Sequence, residues 1–596
     1  MTVFPAPKKM ICGDAFTNPN RSFCLVKDDF CTVDISFVKD RLDLQEAGIP
    51  LRIVCNPEYQ KEQYSLELDN AAARITASTA RGVFNAVITL QMITEQDDLC
   101  CVRIDDAPDF EDRGVMIDYS RGRIPTIEEI KKTVDRLARM KYNQIQMAFD
   151  SIVFEYKGLE KYYGGSSIVT TEYVKEIQAY CKKNLIELVP NQNSFGHMHD
   201  WLKLDDFKDL AECPGGFHRT DEYNRTSLWS PGTLDPYDPR SRELVDRIYG
   251  GLLPYFESPK LHACCDETFD LISGEGKSAE RLRKLGVKKV YTQYMEKLNL
   301  LCQKYGKRMM FWADMIIDSV DALKEMPKDA IAVIWGYEQE YPYEQYCKNA
   351  KESGLAFYVA PGTSSWASIV GRSNNMKYNQ LSAAENGKKY GAKGYLLTDW
   401  GSHGHVQFPV VTHLPIAYGA GLAWGVDENK EIEGACDYLD DSLFHEKGFS
   451  RFLYDCGNAH CLEPYKRFNT AAVITVLEVP LDDNVYMEGQ TPEHYKNIVR
   501  LAEEQLKKLE RFLSCDKEHI EEIRLNLEIL KTMAKVCIIK TGGTADPLEI
   551  IAEFERENKE FKRLWLTKNL ETFSDVYINL TKNLADALQC KTVNAQ

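Results

Sequence analysis

Apolar positions along the chain change their period twice. In the first hundred residues short β-like runs, LRIVCN (51–56), YSLELD (64–69) and ARITAS (73–78), surround one helix-like segment, GVFNAVITLQMITEQ (82–96), and the polar, proline-containing stretch IDDAPDFEDRG (104–114) follows. This pattern predicts a small α+β domain over 1–108, closed by a linker.

From Gly114 the pattern becomes regular. Eight apolar runs, GVMID, QIQMAF, LIELVP, LHACCD, RMMFWAD, IAVIWG, AFYVAP and GYLLTDW, alternate with segments that carry helix signals. After the first run, Thr126 followed by Glu129 reads as a capping box, and Ile127, Ile130, Val134 and Leu137 form one apolar helix face. Eight strands separated by helices over 109–425 predict a (β/α)8 barrel of the TIM type, with an open doubly wound sheet as the alternative. One connection, between LIELVP and the helix near Arg242, is far longer than the ~15 residues beyond which a loop is usually functional. It contains Trp201, His218, Trp229 and Tyr237 and is expected over the active-site end of the barrel.

Beyond residue 425 the chain reads as helices. Thr491-Pro492 and Asp546-Pro547 are N-cap and first-turn proline pairs, and the apolar stripes that follow predict a C-terminal α-helical domain over 426–596. Those stripes serve core packing or, as the alternative, a homodimer surface.

The 596 residues carry a net charge of −17, which disfavours nucleic acid and anionic membrane as partners. No signal-like apolar stretch opens the chain, and the 18 cysteines are scattered without a CxxC pair, so a cytoplasmic address with free thiols is expected. There is no GxGxxG and no P-loop lysine, and no organic cofactor is expected.

In a barrel the carboxyl ends of the strands converge, and two features stand out among them. The first is Asp266-Glu267 in HACCDETFD, where mutual repulsion and burial would raise one carboxyl and leave a proton for acid catalysis. A helix N-terminus would favour the same residues for structural reasons. The second is an aromatic set, Trp312, Trp335, Trp366 and Trp400, half of the eight tryptophans, which suits either stacking on a sugar ring or an apolar rim.

The stretches RGVMIDYSRGRIP (113–125), PNQNSFGHM (190–198), LHACCDETFDL (261–271) and TDWG (398–401) together resemble glycoside hydrolase family 20, the β-N-acetylhexosaminidases, in its smaller bacterial branch with a C-terminal helical domain. The resemblance implies an exo-acting enzyme that removes terminal GlcNAc or GalNAc from a small oligosaccharide or glycoside. It makes Glu267 the general acid/base and Asp266 the residue that orients the substrate's acetamido group, which itself attacks the anomeric carbon to give an oxazolinium ion. By the same resemblance Arg113 binds the sugar's 3- and 4-hydroxyls, Asp118 and Arg121 form a structural pair, Asp150 and His197 support the site, and Trp312, Trp335 and Trp400 wall the acetamido pocket.

The sequence departs from the family in places. Tyr337 stands in for a tyrosine expected after the seventh strand, and Ser402, followed by His403 and His405, replaces an acid after Trp-Gly on the last one. That substitution opens a 6-modified or strictly galacto-configured sugar as an alternative substrate. A histidine pair could also hold a metal, but no third ligand is spaced to join it, so no metal site is expected. A non-catalytic N-acetylhexosamine-binding protein is the rival from another class, and retention of the carboxylate pair argues against it.

Overall fold

The structure is a computed structural model that describes residues 2–26, 33–163, 168–221, 224–464, 467–483 and 485–594. The first strands are β1 (Lys9–Ala15), β2 (Phe23–Val26), β3 (Ile49–Cys55), β4 (Tyr64–Leu68), β5 (Ala73–Ala77) and β6 (Cys100–Asp106). They form one mixed sheet in the order β1-β6-β4-β5-β3-β2. The alternating burial of β4 and β5 lays Tyr64, Leu66, Leu68, Ala73, Ile75 and Ala77 against the helix Ala80–Thr94, whose first turn is capped by Thr79. The stretch expected as a linker begins inside the sheet: Ile104 to Asp106 complete β6. Asp106 is buried there because it accepts from Trp424 Nε1 at 2.9 Å and Tyr64 OH at 2.8 Å, with Lys141 Nζ at 3.4 Å. Burial pulls that lysine down to about 8 against the attraction of Asp106.

The next strands are β7 (Asp112–Asp118), β8 (Gln144–Phe149) and β9 (Glu187–Gln192), then a hairpin of β10 (Phe217–Thr220) and β11 (Thr226–Trp229). They continue with β12 (Lys260–His262), β13 (Arg308–Trp312), β14 (Ile331–Trp335), β15 (Ala356–Ala360) and β16 (Gly394–Asp399). All eight apolar runs become parallel strands of one closed barrel, with β16 pairing back onto β7. Closure excludes the open sheet. The helix Ile127–Arg139 begins where the sequence predicts, with Thr126 Oγ1 accepting from Glu129 N at 3.3 Å, but the Glu129 carboxylate turns to Arg136 and leaves the box half made.

The C-terminal helices Pro492–Leu509, Lys517–Lys540 and Pro547–Lys568 start at the predicted proline pairs and within the predicted stripes. They pack on the barrel. Asn526 accepts from Phe408 N at 3.2 Å and donates to Val406 O at 3.1 Å, and Glu522 accepts from Val410 N at 3.1 Å while pairing with Lys568. These bonds fix the segment that follows β16 and so hold one side of the site rim. No helix among the described residues is long and apolar enough to cross a membrane.

Candidate active site

The site lies where the strands end. After Asp118 closes β7, the chain turns so that its carboxylate accepts from Ser120 N at 2.8 Å, Gly401 N at 3.0 Å and Arg121 Nη1 at 3.1 Å. The other edge of the Arg121 guanidinium pairs with Asp150, at the end of β8, and its face lies 4.8 Å from the Trp400 ring centroid. Burial disfavours this cation, but Asp150 and Asp118 outweigh it and raise Arg121 above its ordinary value.

β12 is only three residues long, because Cys264, Cys265 and Glu267 all take left-handed backbone angles, with φ of 58°, 73° and 49°. Such angles are costly for residues with a side chain and persist only where the surroundings impose them. The Cys264 thiol donates to Asn191 Oδ1 at 2.9 Å, and Glu267 N donates to Asp314 Oδ2 at 3.0 Å. Gly196 packs so closely on this turn that a Cβ there would sit 2.1 Å from Asp266 O. His197 follows with φ of 54°, and its Nε2 lies 3.4 Å from Asp266 Oδ2 and 3.3 Å from Glu267 Oε2.

The three groups shift one another. Burial opposes the charge on His197, yet Asp266 and Glu267 raise it well above 6.5. Burial raises Asp266, and Glu267 and Asp150 add to that against the pull of His197. Burial also works to raise Glu267, but the hydrogen bond and charge of His197, with Arg219 and Arg121 behind them, leave it below 4.5. The sequence reading foresaw one raised carboxyl in the pair. The raised carboxyl is Asp266, and the opposite shifts of His197 and Glu267 favour the proton on the imidazole.

The aromatic residues lie against one another. Trp400 Nε1 donates to Tyr337 OH at 2.7 Å; Tyr337 stacks on Trp335 with centroids 5.2 Å apart and meets Trp366 edge-on at 4.9 Å. Trp312 lies 6.1 Å from Trp400. Trp335 Nε1 donates to Asp314 Oδ1 at 3.3 Å, so Asp314 links an indole wall to the backbone of Glu267. Burial, reinforced by Asp266, raises Asp314 well above the usual carboxyl range. Its position right after the strand in FWAD puts Asp314 among the strand-end residues that the sequence singles out, but the sequence assigns it no role in the site.

Three other expectations change. Arg113 lies at the opposite end of β7 from Arg121, is 1% exposed, and pairs with Glu62 of the N-terminal domain while donating to Phe110 O and Lys141 O. It cannot reach a sugar at the carboxyl ends of the strands. Ser402 Oγ accepts from Ala367 N at 2.6 Å and so braces the loop that holds Trp366. His403 Nε2 pairs with Glu478 of the C-terminal region at 2.9 Å. Among the described residues, no group of three or more His, Cys, Asp or Glu side chains could hold a metal ion.

A closed parallel barrel with a carboxylate pair beside clustered indoles belongs to the carbohydrate-active class of this architecture. Sequence comparison narrows the class: residues 110–393 match the catalytic domain of glycosyl hydrolase family 20, and residues 2–107 match domain 2 of the same family. The chain belongs to glycoside hydrolase family 20. It is similar to a β-hexosaminidase of Vibrio furnissii, 24% identical over 365 residues that cover 55% of this chain and 56% of that protein. The human β-hexosaminidase subunit beta is 24% identical over 302 residues, covering 48% and 51%. The chain spans about half the length of the curated relatives it matches. Among solved structures, the Flavobacterium johnsoniae chitobiase shares the fold over 98% of this chain and 99% of its own, with a TM-score of 0.58 and 17% identity. The Streptomyces plicatus N-acetyl-β-hexosaminidase bound to Thio-NAglucal covers 71% and 90%, with a TM-score of 0.52 and 19% identity.

Proposed function

We propose that this chain is an exo-β-N-acetylhexosaminidase that hydrolyses terminal non-reducing β-linked GlcNAc or GalNAc from small oligosaccharides or glycosides through an oxazolinium intermediate. One observation carries the reading: Asp266 and Glu267 are adjacent, joined by His197, and set against a cluster of indoles. Other carboxylates at the rim are engaged. Arg121 holds Asp118 and Asp150, Glu267 N and Trp335 hold Asp314, and Thr363 and Ser365 donate to Asp399. With these carboxylates engaged, the substrate's own acetamide is the nucleophile of choice.

In this mechanism the acetamido oxygen bonds to the anomeric carbon as the glycosidic C–O bond breaks. Glu267 gives its proton to the departing oxygen, and Asp266 accepts from the acetamido N–H and balances the positive charge that develops there. Water, deprotonated by Glu267, then opens the ring at the anomeric carbon with net retention. His197 can pass its proton to Glu267 without changing the proton count of the cluster, which turns the resting ion pair into a charged Asp266 beside an acidic Glu267. Trp312, Trp335, Tyr337, Trp366 and Trp400 enclose the acetamido group and sugar face, and Arg121 takes the hydroxyl-binding role that the resemblance gave to Arg113. Ser402 Oγ and His403 Nε2 are occupied by protein partners, so neither is left to select a 6-modified sugar over the plain one.

The buried free thiols of Cys181, Cys302 and Cys347 support a reducing, cytoplasmic setting. The direct test is release of nitrophenol from 4-nitrophenyl N-acetyl-β-glucosaminide and its galacto epimer, with a thiazoline mimic of the intermediate as inhibitor. Turnover blocked by the thiazoline is expected; saturable sugar binding without turnover would overturn the reading in favour of a lectin-like protein.

A further inference from the structure

The long connection after β9 folds back as the β10–β11 hairpin, and one face of it meets the segment that carries the acid. Phe217 and Arg219 share that face with Ser227 and Trp229, their cross-strand partners. The Arg219 guanidinium carbon lies 3.6 Å from the centroid of Phe269 and 4.4 Å from that of Trp229, and the two rings meet at 6.4 Å. Phe269 is bound to the acid itself, since its N–H donates to Glu267 O at 2.6 Å.

The hairpin is on the outer side of the site. The Asp266 side chain is 13% exposed among the indoles, whereas Glu267 is 34% exposed. A general acid touches the leaving oxygen, so what lies outward from Glu267 faces the leaving group. Trp229, 38% exposed, presents apolar surface there.

Charge singles out Arg219. Neighbouring cations of the rim are paired: Arg121 with Asp118 and Asp150, Arg225 with Asp221, Arg467 with Glu478. Among the described residues no carboxylate lies in ion-pair contact with Arg219, in a chain of net charge −17. Its faces rest on rings, which leaves the N–H edge for a planar anion.

We infer that Arg219, held by Phe269 and Trp229, forms a leaving-group subsite that selects an aglycone sugar bearing a carboxylate, that is, a uronic acid. The inference rests on the proposed hexosaminidase reading and names the substrate class for it.

The experiment compares kcat/KM for GlcNAc linked β-1,3 and β-1,4 to glucuronic acid with the matching glucose disaccharides, in wild type, Arg219→Gln, Arg219→Lys and Arg219→Glu. The acid-to-neutral ratio is read, so a general loss of activity cancels. The wild type is expected to favour the uronides by about tenfold at low salt, with the preference shrinking as salt rises. Arg219→Gln removes the preference, Arg219→Lys keeps part of it, and Arg219→Glu reverses it. An equal ratio in wild type and Arg219→Gln overturns the proposal, as does failure to cleave the uronides in an enzyme that cleaves nitrophenyl N-acetylhexosaminides. Failure of the hexosaminidase reading shows separately, as no turnover of the nitrophenyl substrates in either configuration, and removes the subsite with it.

Discussion

His197 Nε2 lies 3.3 Å from Glu267 Oε2, and through that contact an imidazolium sits beside the carboxyl that acid catalysis requires to be protonated. The two shifts are opposite in sign, His197 up and Glu267 down, after burial has opposed the charge of each. The ion pair adds stability whose histidine share is fully present below its ordinary 6.5 and is lost as pH rises through its raised value. The glutamate share is fully present above 4.5 and is lost as pH falls through the depressed value.

The pH profile of kcat/KM should have two limbs. Activity needs one proton shared by His197 and Glu267 and an ionised Asp266. The alkaline limb therefore falls above 6.5 and the acid limb above the ordinary aspartate value of 3.8. His197→Asn leaves the proton to Glu267 alone, and the alkaline limb should move down by about one pH unit or more. A variant profile that overlays the wild type would remove His197 from the proton inventory.

Glu267→Gln removes the acid while keeping its shape. A loss of about 10³-fold in kcat is expected on substrates with poor leaving groups. A smaller loss should be seen with dinitrophenyl glycosides, which need less protonation. Equal losses on both would show that the side chain acts on something other than the leaving oxygen.

Asp314 accepts from both Glu267 N and Trp335 Nε1. Asp314→Ala frees both donors and lets the acid turn and the indole wall drift. A misplacement of this kind costs about 10²-fold in kcat/KM. Steady-state kinetics beside a thermal melt would separate the roles, and wild-type kinetics in the variant would make Asp314 a bystander.

Gly196→Ala drives a Cβ into Asp266 O, and backbone cannot yield as a flexible side chain would. The same order of loss, about 10²-fold, is expected with most of the overall stability retained. Unchanged turnover would mean that the turn at Asp266 tolerates displacement.

Arg113 and Arg121 should respond in different ways. Glu62 is held down to about 2, burial pressing it up and Arg113 and Arg81 pressing it down harder. Its stabilisation is present above 4.5 and fades as pH falls through about 2. Glu62→Ala strands two buried guanidinium groups and should cost about 3–5 kcal/mol in urea unfolding at neutral pH. Arg113→Gln should likewise lower stability with little change in KM, while Arg121→Gln should raise KM for N-acetylhexosaminides. A KM effect confined to Arg113→Gln would reverse the assignment.

Much of this molecule was legible in the chain itself, because period and capping act locally. The eight apolar runs all became barrel strands, and Thr126, Thr491 and Asp546 all stand at helix starts, since backbone geometry needs only neighbours a few positions away. Three of the indoles could be grouped for the same reason, Trp312 and Trp335 closing strands and Trp400 following one, with Trp366 in the loop after β15. What local pattern cannot carry is which end of a strand a residue occupies relative to the chemistry, or which distant group it meets. Arg113 and Arg121 share one motif, yet β7 at ~3.3 Å per residue sets them at opposite ends of the barrel. Glu62 and Glu478, far away in sequence, then claim Arg113 and His403. The left-handed turns at Cys264, Cys265 and Glu267 likewise leave no local signature, because they are strained and exist only where the packed site enforces them. Sequence alone determined the scaffold and nominated the carboxylate pair. Tertiary structure decided where the protons sit and which arginine faces the site, because both depend on charges brought together only by folding.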